Sequence, residues 1–205
     1  MGLDLEYRAG QTPIDDDEKE GLLISTIATR AELDEFEQQN IEDAVQWSLT
    51  RNFKSGEIFT ERFVRDVHKR MYGNVWRWAG KFRQTNKNIG VDKWQIVAEL
   101  RNLLDDVSYW VEHDTFTPDE IAVRFKHRIV SIHCFPNGNG RHSRLMADII
   151  IEKIFQKPVF NWGAENIPFD GVSRSAYLKA IRAADIGEYG PLIAFVRSSG
   201  QDSGV

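Results

Sequence analysis

His133, Asn137, Gly138, Asn139, Gly140, Arg141 and Arg144 all fall within the stretch HCFPNGNGRHSR. These residue types at this spacing describe a phosphate site with a proton acceptor beside it. A Gly-Asn-Gly run at a helix start lets the backbone adopt conformations closed to other residues and turns several free N–H groups toward one point. The helix dipole adds positive potential there, so an anion is the natural occupant. Arg141 and Arg144 are three apart and share a helix face. Their planar forks suit phosphate oxygens better than lysine would, and a pair of them implies more than one phosphate group. An imidazole at His133, with an ordinary pKa near ~6.5, could take a proton from an attacking hydroxyl. Base, cradle and cations together describe phosphoryl or nucleotidyl transfer. The chain has no GxxxxGK(S/T) loop, and GNGRHS lacks the third glycine of a dinucleotide fingerprint, so both better-known phosphate loops are excluded.

The elements around this loop are helical. Leu33, Phe36, Ile41, Ala44 and Trp47 mark one face of a helix running from about Ala31 to near Arg51. Phe63, Val64, Val67 and Met71 mark a second, closed by Gly73. Ile96, Leu100, Leu103, Leu104, Val107, Trp110 and Val111 form the stripe of a long third helix. Thr117-Pro118-Asp119-Glu120 is a capping box with proline at the first helical position, and it opens a helix whose Ile121, Phe125, Ile129 and Ile132 lead directly to His133. Leu145, Met146, Ile149 and Ile150 continue a helix beyond the loop, and two more are expected near 174–184 and 190–197. RWAGKFRQTNKNIGVDKW, at 77–94, has no helical period and reads as loop plus a short hairpin. The fold class is therefore mainly α, a helical bundle with one small β element.

Composition narrows the partners. The 205 residues are 41% hydrophobic, enough for one sizeable core, and carry a formal net charge of -5. That charge gives no bulk attraction to nucleic acid or to an anionic membrane, and no basic recognition helix appears. Cys134 is the only cysteine, and the acidic N-terminus MGLDLEYRAGQTPIDDDEKE lacks the pattern of a signal peptide, which together read as a reducing, cytoplasmic setting. Residues 1–30 read as an acidic, solvated arm and 31–200 as the main domain. His68 reads as a packed structural histidine and His142 as an exposed or supporting one. His113 and His127 lack zinc spacing. Cys134 reads as a buried thiol, and Trp76, Trp78, Trp94 and Trp110 as support for core and flap.

HCFPNGNGRHSR is very similar to the signature of the Fic family, H-x-F-x-(D/E)-G-N-G-R-x-x-R, departing at one of its eight specified positions. YGNVWRWAGKFR at 72–83 and SRSAYLKAIRAADIGEYGPLIAF at 173–195 resemble the family's flanking segments in the same order. The resemblance runs from about Ala31 onward and is nearest to compact bacterial members. It implies a helical bundle with a β-hairpin flap, and transfer of AMP from ATP, with Mg²⁺, to a Ser, Thr or Tyr hydroxyl of a target protein. By the same resemblance His133 is the base, and Gly138, Asn139 and Gly140 form the anion hole. Arg141 and Arg144 hold the phosphates, and Phe135 packs inward to fix the loop. Asn88, Ile89, Gly90 and Val91 form the flap edge that pairs with an extended target segment. Tyr177 and Asp185 fall where the family lines its nucleoside pocket.

The departure is Asn137, at the position of the family's metal-holding acid, where it offers a neutral oxygen. A second family feature, an inhibitory (S/T)xxxEG motif, is present only in part: Glu20-Gly21 supplies its end while Asp16 replaces the hydroxyl residue. The resemblance then implies that Glu20 reaches Arg144. Family members also include antitoxin-paired proteins and self-regulating homo-oligomers. Alternatives left open are a nucleotide-binding regulatory module with weak or no catalysis, and transfer or removal of another phosphate-bearing group.

Overall fold

In a computed structural model the described residues are 14–162 and 171–198. Among them the helices are α1 (Asp16–Lys19), α2 (Arg30–Thr50), α3 (Ser55–Ile58), α4 (Glu61–Tyr72), α5 (Ile96–Glu112), α6 (Pro118–Ile132), α7 (Asn139–Lys153), α8 (Gly171–Asp185) and α9 (Gly190–Arg197). Capping chemistry sets several of the starts. The Thr29 hydroxyl accepts from Glu32 N–H at 3.3 Å while the Glu32 carboxylate accepts from Thr29 N–H at 2.9 Å. Thr60 accepts from Phe63 N–H at 3.1 Å, and Thr117 from Glu120 N–H at 3.3 Å with Pro118 following it.

Helix α6 lies at the centre, packed on α5, α7 and α9, while α4 is flanked by α2 and α7. The apolar stripes meet there. Leu33, Val64, Val67, Met71, Phe125, Met146 and Ile150 are fully buried. Each large side chain so removed from water stabilises the fold by about 2 kcal/mol before its entropy is counted. The expected helices are present with boundaries shifted by a few residues, while the short α1 and α3 have too few residues to show a period.

The segment expected to form a hairpin is a loop. Among the described residues the one recorded strand contact is an isolated antiparallel bridge between Leu22 and Trp76. The flap's backbone groups go to side chains instead: Asn86 accepts from Lys93 N–H at 2.9 Å, Asp92 from Trp94 N–H at 3.0 Å, and Arg83 collects carbonyls. Residues 1–13 of the expected arm lie outside the described residues; from Ile14 onward the arm is partly docked. Leu23 N–H donates to Val75 O at 2.8 Å, Arg77 N–H to Gly21 O at 2.8 Å, and the Trp78 indole to Glu18 O at 3.0 Å. Asp16, Asp17 and Glu20 remain exposed. Among the described residues no helix is long and apolar enough to cross a membrane.

Candidate active site

His133 caps α6 in the left-handed conformation, φ 59° and ψ 60°, which turns the chain abruptly into the loop. A non-glycine residue held there is strained, and a fold maintains such a residue only where the surroundings fix it. The side chain is 4% exposed, and neither ring nitrogen has a hydrogen-bond partner. Burial, then the Arg83 charge, pushes its pKa down to about 4, with the Val130 carbonyl pulling the other way and Lys87 adding to the depression. At neutral pH the ring is therefore uncharged and able to accept a proton.

The loop after it is held shut from inside. Asn139 brackets Phe135, its amide oxygen accepting from Phe135 N–H at 2.9 Å and its amide nitrogen donating to Phe135 O at 2.7 Å. His68 stacks on the Phe135 ring at 3.7 Å. Gly80 N–H donates to His68 Nδ1 at 3.0 Å, so Nδ1 carries no proton and Nε2–H is the donor to Asn137 O at 3.0 Å. Gly138 precedes α7 at φ 78°, and a Cβ there would lie 2.5 Å from the Tyr72 ring. A Cβ at Gly140 would meet nothing within 4 Å, and the residue is exposed. The backbone N–H groups of Asn139, Gly140 and Arg141 at the start of α7 have no partner within the helix, and of these residues Gly140 is exposed. The side chain of Asn139 is committed to the loop, so its contribution to an anion site is its backbone.

The cations are treated unequally. Arg141 donates to the Glu37 carboxylate at 2.6 Å and lies 5.3 Å from the Tyr72 ring centre; the other Glu37 oxygen accepts from the Trp76 indole at 2.7 Å. Glu37, from α2, is 2% exposed. Among the described residues Arg144 makes no hydrogen bond or ion pair. Among the described residues the expected contact between Glu20 and Arg144 is absent, and Glu20 is exposed. Near Arg144 lies a second cation, Lys126, which is 2% exposed and donates to the Tyr177 hydroxyl at 2.6 Å. Burial pushes the Lys126 pKa down and the Arg144 charge adds to this, while Tyr177 and Asp185 oppose it.

Asp185 faces the same helix one position along, accepting from or pairing with His127 at 2.8 Å, with the Tyr189 hydroxyl 3.5 Å from the other ring nitrogen. This pair lines a cavity of about 390 Å³ with Arg128, Ser131, Ile132 and the flap residue Val91. Asn137 turns its amide oxygen to the Gly138 N–H at 2.6 Å. Among the described residues no group of three or more His, Cys, Asp or Glu side chains could hold a metal ion. One neutral oxygen, already accepting a hydrogen bond, does not make a metal site.

The flap lies against the base. A Cβ on Gly90, at φ 92°, would be 2.5 Å from His133 Cβ, and Val91 N–H donates to Ile132 O at 3.3 Å. Asn88, Ile89 and Gly90 are exposed. Lys87 is pinned to the arm, pairing with Asp15 at 2.7 Å and Glu18 at 2.6 Å, while the Thr85 hydroxyl donates to Asp15 at 3.0 Å. Asp15 therefore belongs to a strap, not to a solvated face.

Of the residues named from sequence, the loop and flap groups meet around His133, and Tyr177 and Asp185 both meet α6. His142 is fully buried, its Nε2 2.9 Å from Val64 O, and burial pushes its pKa down to about 4. Cys134 is buried and burial pushes its thiol up to about 12, which leaves it inert. Trp94 stands 79% exposed beside the flap instead of supporting the core. Glu37, Arg83, Lys126 and Lys87 were not anticipated. The one available signal was charge on a buried helix stripe, as with Glu37 four residues after Leu33.

The Fic/DOC family model matches residues 58–151. The chain is 25% identical over 148 residues to the protein adenylyltransferase fic-1 of Caenorhabditis elegans, covering 68% of this chain and 27% of that protein. It is 28% identical over 146 residues to the Caenorhabditis briggsae counterpart, again covering 68% and 27%. The chain therefore spans about a quarter of the length of these relatives. Among solved structures, C. elegans Fic-1 residues 134–508 superpose with a TM-score of 0.61 at 20% identity, over 87% of this chain and 50% of that one. The BepC effector of Bartonella tribocorum, solved with AMPPNP bound, gives 0.65 at 15% identity over 89% and 97%. The likeness to the Fic/DOC family is carried by residues 58–151, which hold the loop, its two flanking helices and the flap.

Proposed function

We propose that this site transfers AMP from ATP to a hydroxyl side chain of a target protein. The observation that carries the reading is the neutral, buried and unpartnered imidazole of His133 beside the open start of α7 and the unpaired Arg144. Triphosphate oxygens would take the N–H groups of Asn139, Gly140 and Arg141, with Arg144 supplying the uncompensated charge. The target hydroxyl attacks the α-phosphorus, a new O–P bond forms, and the α–β bridging bond breaks to release pyrophosphate. His133 accepts the hydroxyl proton. Phosphate charge beside the ring favours its protonated form, which strengthens the base at the moment it is needed. A divalent ion would come on the nucleotide's own phosphates, Asn137 adding no charge to hold it.

The target would lie along 88–91, where Ile89 is 48% exposed, with Trp94, 79% exposed, three residues beyond the segment's end. The curated relatives are named protein adenylyltransferases and a solved relative binds AMPPNP, which supports the same reaction class. The test is label transfer from α-labelled ATP to protein in an extract, with wild type and His133→Ala side by side. Label with the wild type alone supports the reading; label with neither protein, under magnesium or manganese, counts against it.

A further inference from the structure

Arg83 is 1% exposed, yet no carboxylate lies within ion-pair distance of it among the described residues. Its fork is spent on backbone. Nε donates to the His133 carbonyl at 2.6 Å, Nη1 donates to the Thr85 carbonyl at 2.8 Å, and Nη2 donates to the Val91 carbonyl. Its own N–H donates to Cys134 O at 3.0 Å. A buried cation without a carboxylate in ion-pair contact is costly, and three carbonyl dipoles, one at the C-terminus of α6 and two in the flap loop, are a modest substitute. A leucine or methionine would fill the space, so the guanidinium does something those side chains would not. What it joins is specific: both ends of the flap and the backbone of the proton acceptor.

We propose that Arg83 is a positioning residue that sets the height of the target-binding flap over His133. This rests on the reading of the site as a transferase acting on a segment laid along 88–91. The carbonyls of Thr85 and Val91 bracket that segment, so pulling both onto one rigid fork fixes where its edge stands relative to the imidazole. Gly90 occupies the space left over. The same Cβ that would collide with His133 would come within 3.1 Å of Arg83 Nη2, so only glycine lets the flap settle into the fork. Transfer needs the hydroxyl near 3 Å from the base, and a misplacement of about 1 Å costs roughly a hundredfold.

The groups whose charges bear on His133 are Arg83 and Lys87, both from the flap segment, with the Val130 carbonyl on the helix side. Arg83→Lys keeps the charge and loses the fork. Gly90→Ala disturbs the same contact from the exposed side, and so remains informative if the buried substitution fails to fold. For both variants the expected signature is split: ATP affinity within about twofold of wild type, because the phosphate seat is on α7, and transfer to protein down about tenfold or more, with the target's KM raised. Arg83→Gln should additionally move the acidic limb of the pH profile upward, whereas Arg83→Lys should leave it in place. Amide exchange at Val91, whose N–H reaches Ile132 O, reads the clamp without any transfer. It should accelerate in both variants. Unchanged Val91 exchange overturns the clamp whatever the activity. Equal losses of nucleotide binding and transfer would make Arg83 a general scaffold residue and also overturn the proposal. Absence of transfer in the wild type, with Val91 exchange accelerated as expected, would instead remove the transferase reading and leave the clamp standing.

Discussion

Arg141 and Arg144 carry the same charge one helical turn apart and meet opposite surroundings. Glu37 takes up the charge of Arg141, while Arg144 keeps its own. Removing Arg144 should therefore weaken ATP binding about tenfold or more, by the loss of a charge-assisted contact, with little change in stability. Arg141→Met should do the reverse: it leaves the 3%-exposed Glu37 carboxylate without its cation and costs about 3 kcal/mol of folding free energy, read in a denaturant midpoint. If Arg141→Met lowered affinity more than Arg144→Met, the assignment of the free charge would be reversed. At His133 the depressed pKa sets the pH dependence. kcat/KM should hold level from pH 8 down to about 6 and fall only as the free enzyme's ring protonates near pH 4. A midpoint near ~6.5, the ordinary imidazole value, would show that the ring is not buried against Arg83 in solution.

At the scale of elements, the flap is tied at two levels: Arg83 holds it to α6, and the arm holds it from outside through Lys87. The outer tie is electrostatic, with Lys87 at 4% and Glu18 at 10% side-chain exposure, so it resists screening better than a surface pair. Replacing Asp15 and Glu18 by Asn and Gln should leave the helical core's melting unchanged while speeding proteolysis or amide exchange over 84–91; unchanged protection there would show that the strap bears no tension. The two kinds of contact differ in how they read from sequence. The Thr117 N-cap, the Gly138 turn and the apolar stripes of α4, α5 and α6 are local patterns, legible because partners sit three or four residues apart, although the Glu120 carboxylate pairs with Arg124 instead of closing the expected capping box. The Arg141–Glu37 pair spans 104 residues, Arg83 reaches 50 residues to His133, and Lys126 reaches 51 to Tyr177. No period links such partners, and each residue alone looks like surface charge. The hairpin reading failed for a related reason: the missing helical period over 77–94 and the glycines at 80 and 90 suggested a hairpin, but side chains from Asn86, Asp92 and Arg83 satisfy the backbone in place of a ladder.

Across the whole molecule, buried titratable groups make stability depend on pH. His68, His133 and His142 all have pKa values lowered by burial, to about 4 for the latter two. The unfolded chain takes up their protons near ~6.5 while the folded chain does not, so stability is present above that pH and is lost as pH falls toward 4. Asp148 acts in the opposite sense. Burial pushes its carboxyl up to about 7, so between about 4 and 7 the folded state holds a proton that the unfolded chain releases. One such group offsets only part of the histidine effect, and the melting temperature should drop on acidification from pH 6.5, more steeply in Asp148→Asn. A melting temperature that is level or rises over that range would contradict the burial of the histidines.

The central claim is that His133 serves a nucleotide transfer, and intact mass tests it most directly. Purified protein and its His133→Ala variant would be incubated with ATP, GTP, CTP or UTP and either magnesium or manganese, each with and without a candidate target. The expected result is a mass gain equal to one nucleoside monophosphate, on the target or on the protein itself, with ATP and only with the intact histidine. The same gain in His133→Ala, or a gain of a phosphoryl group alone, would contradict the account.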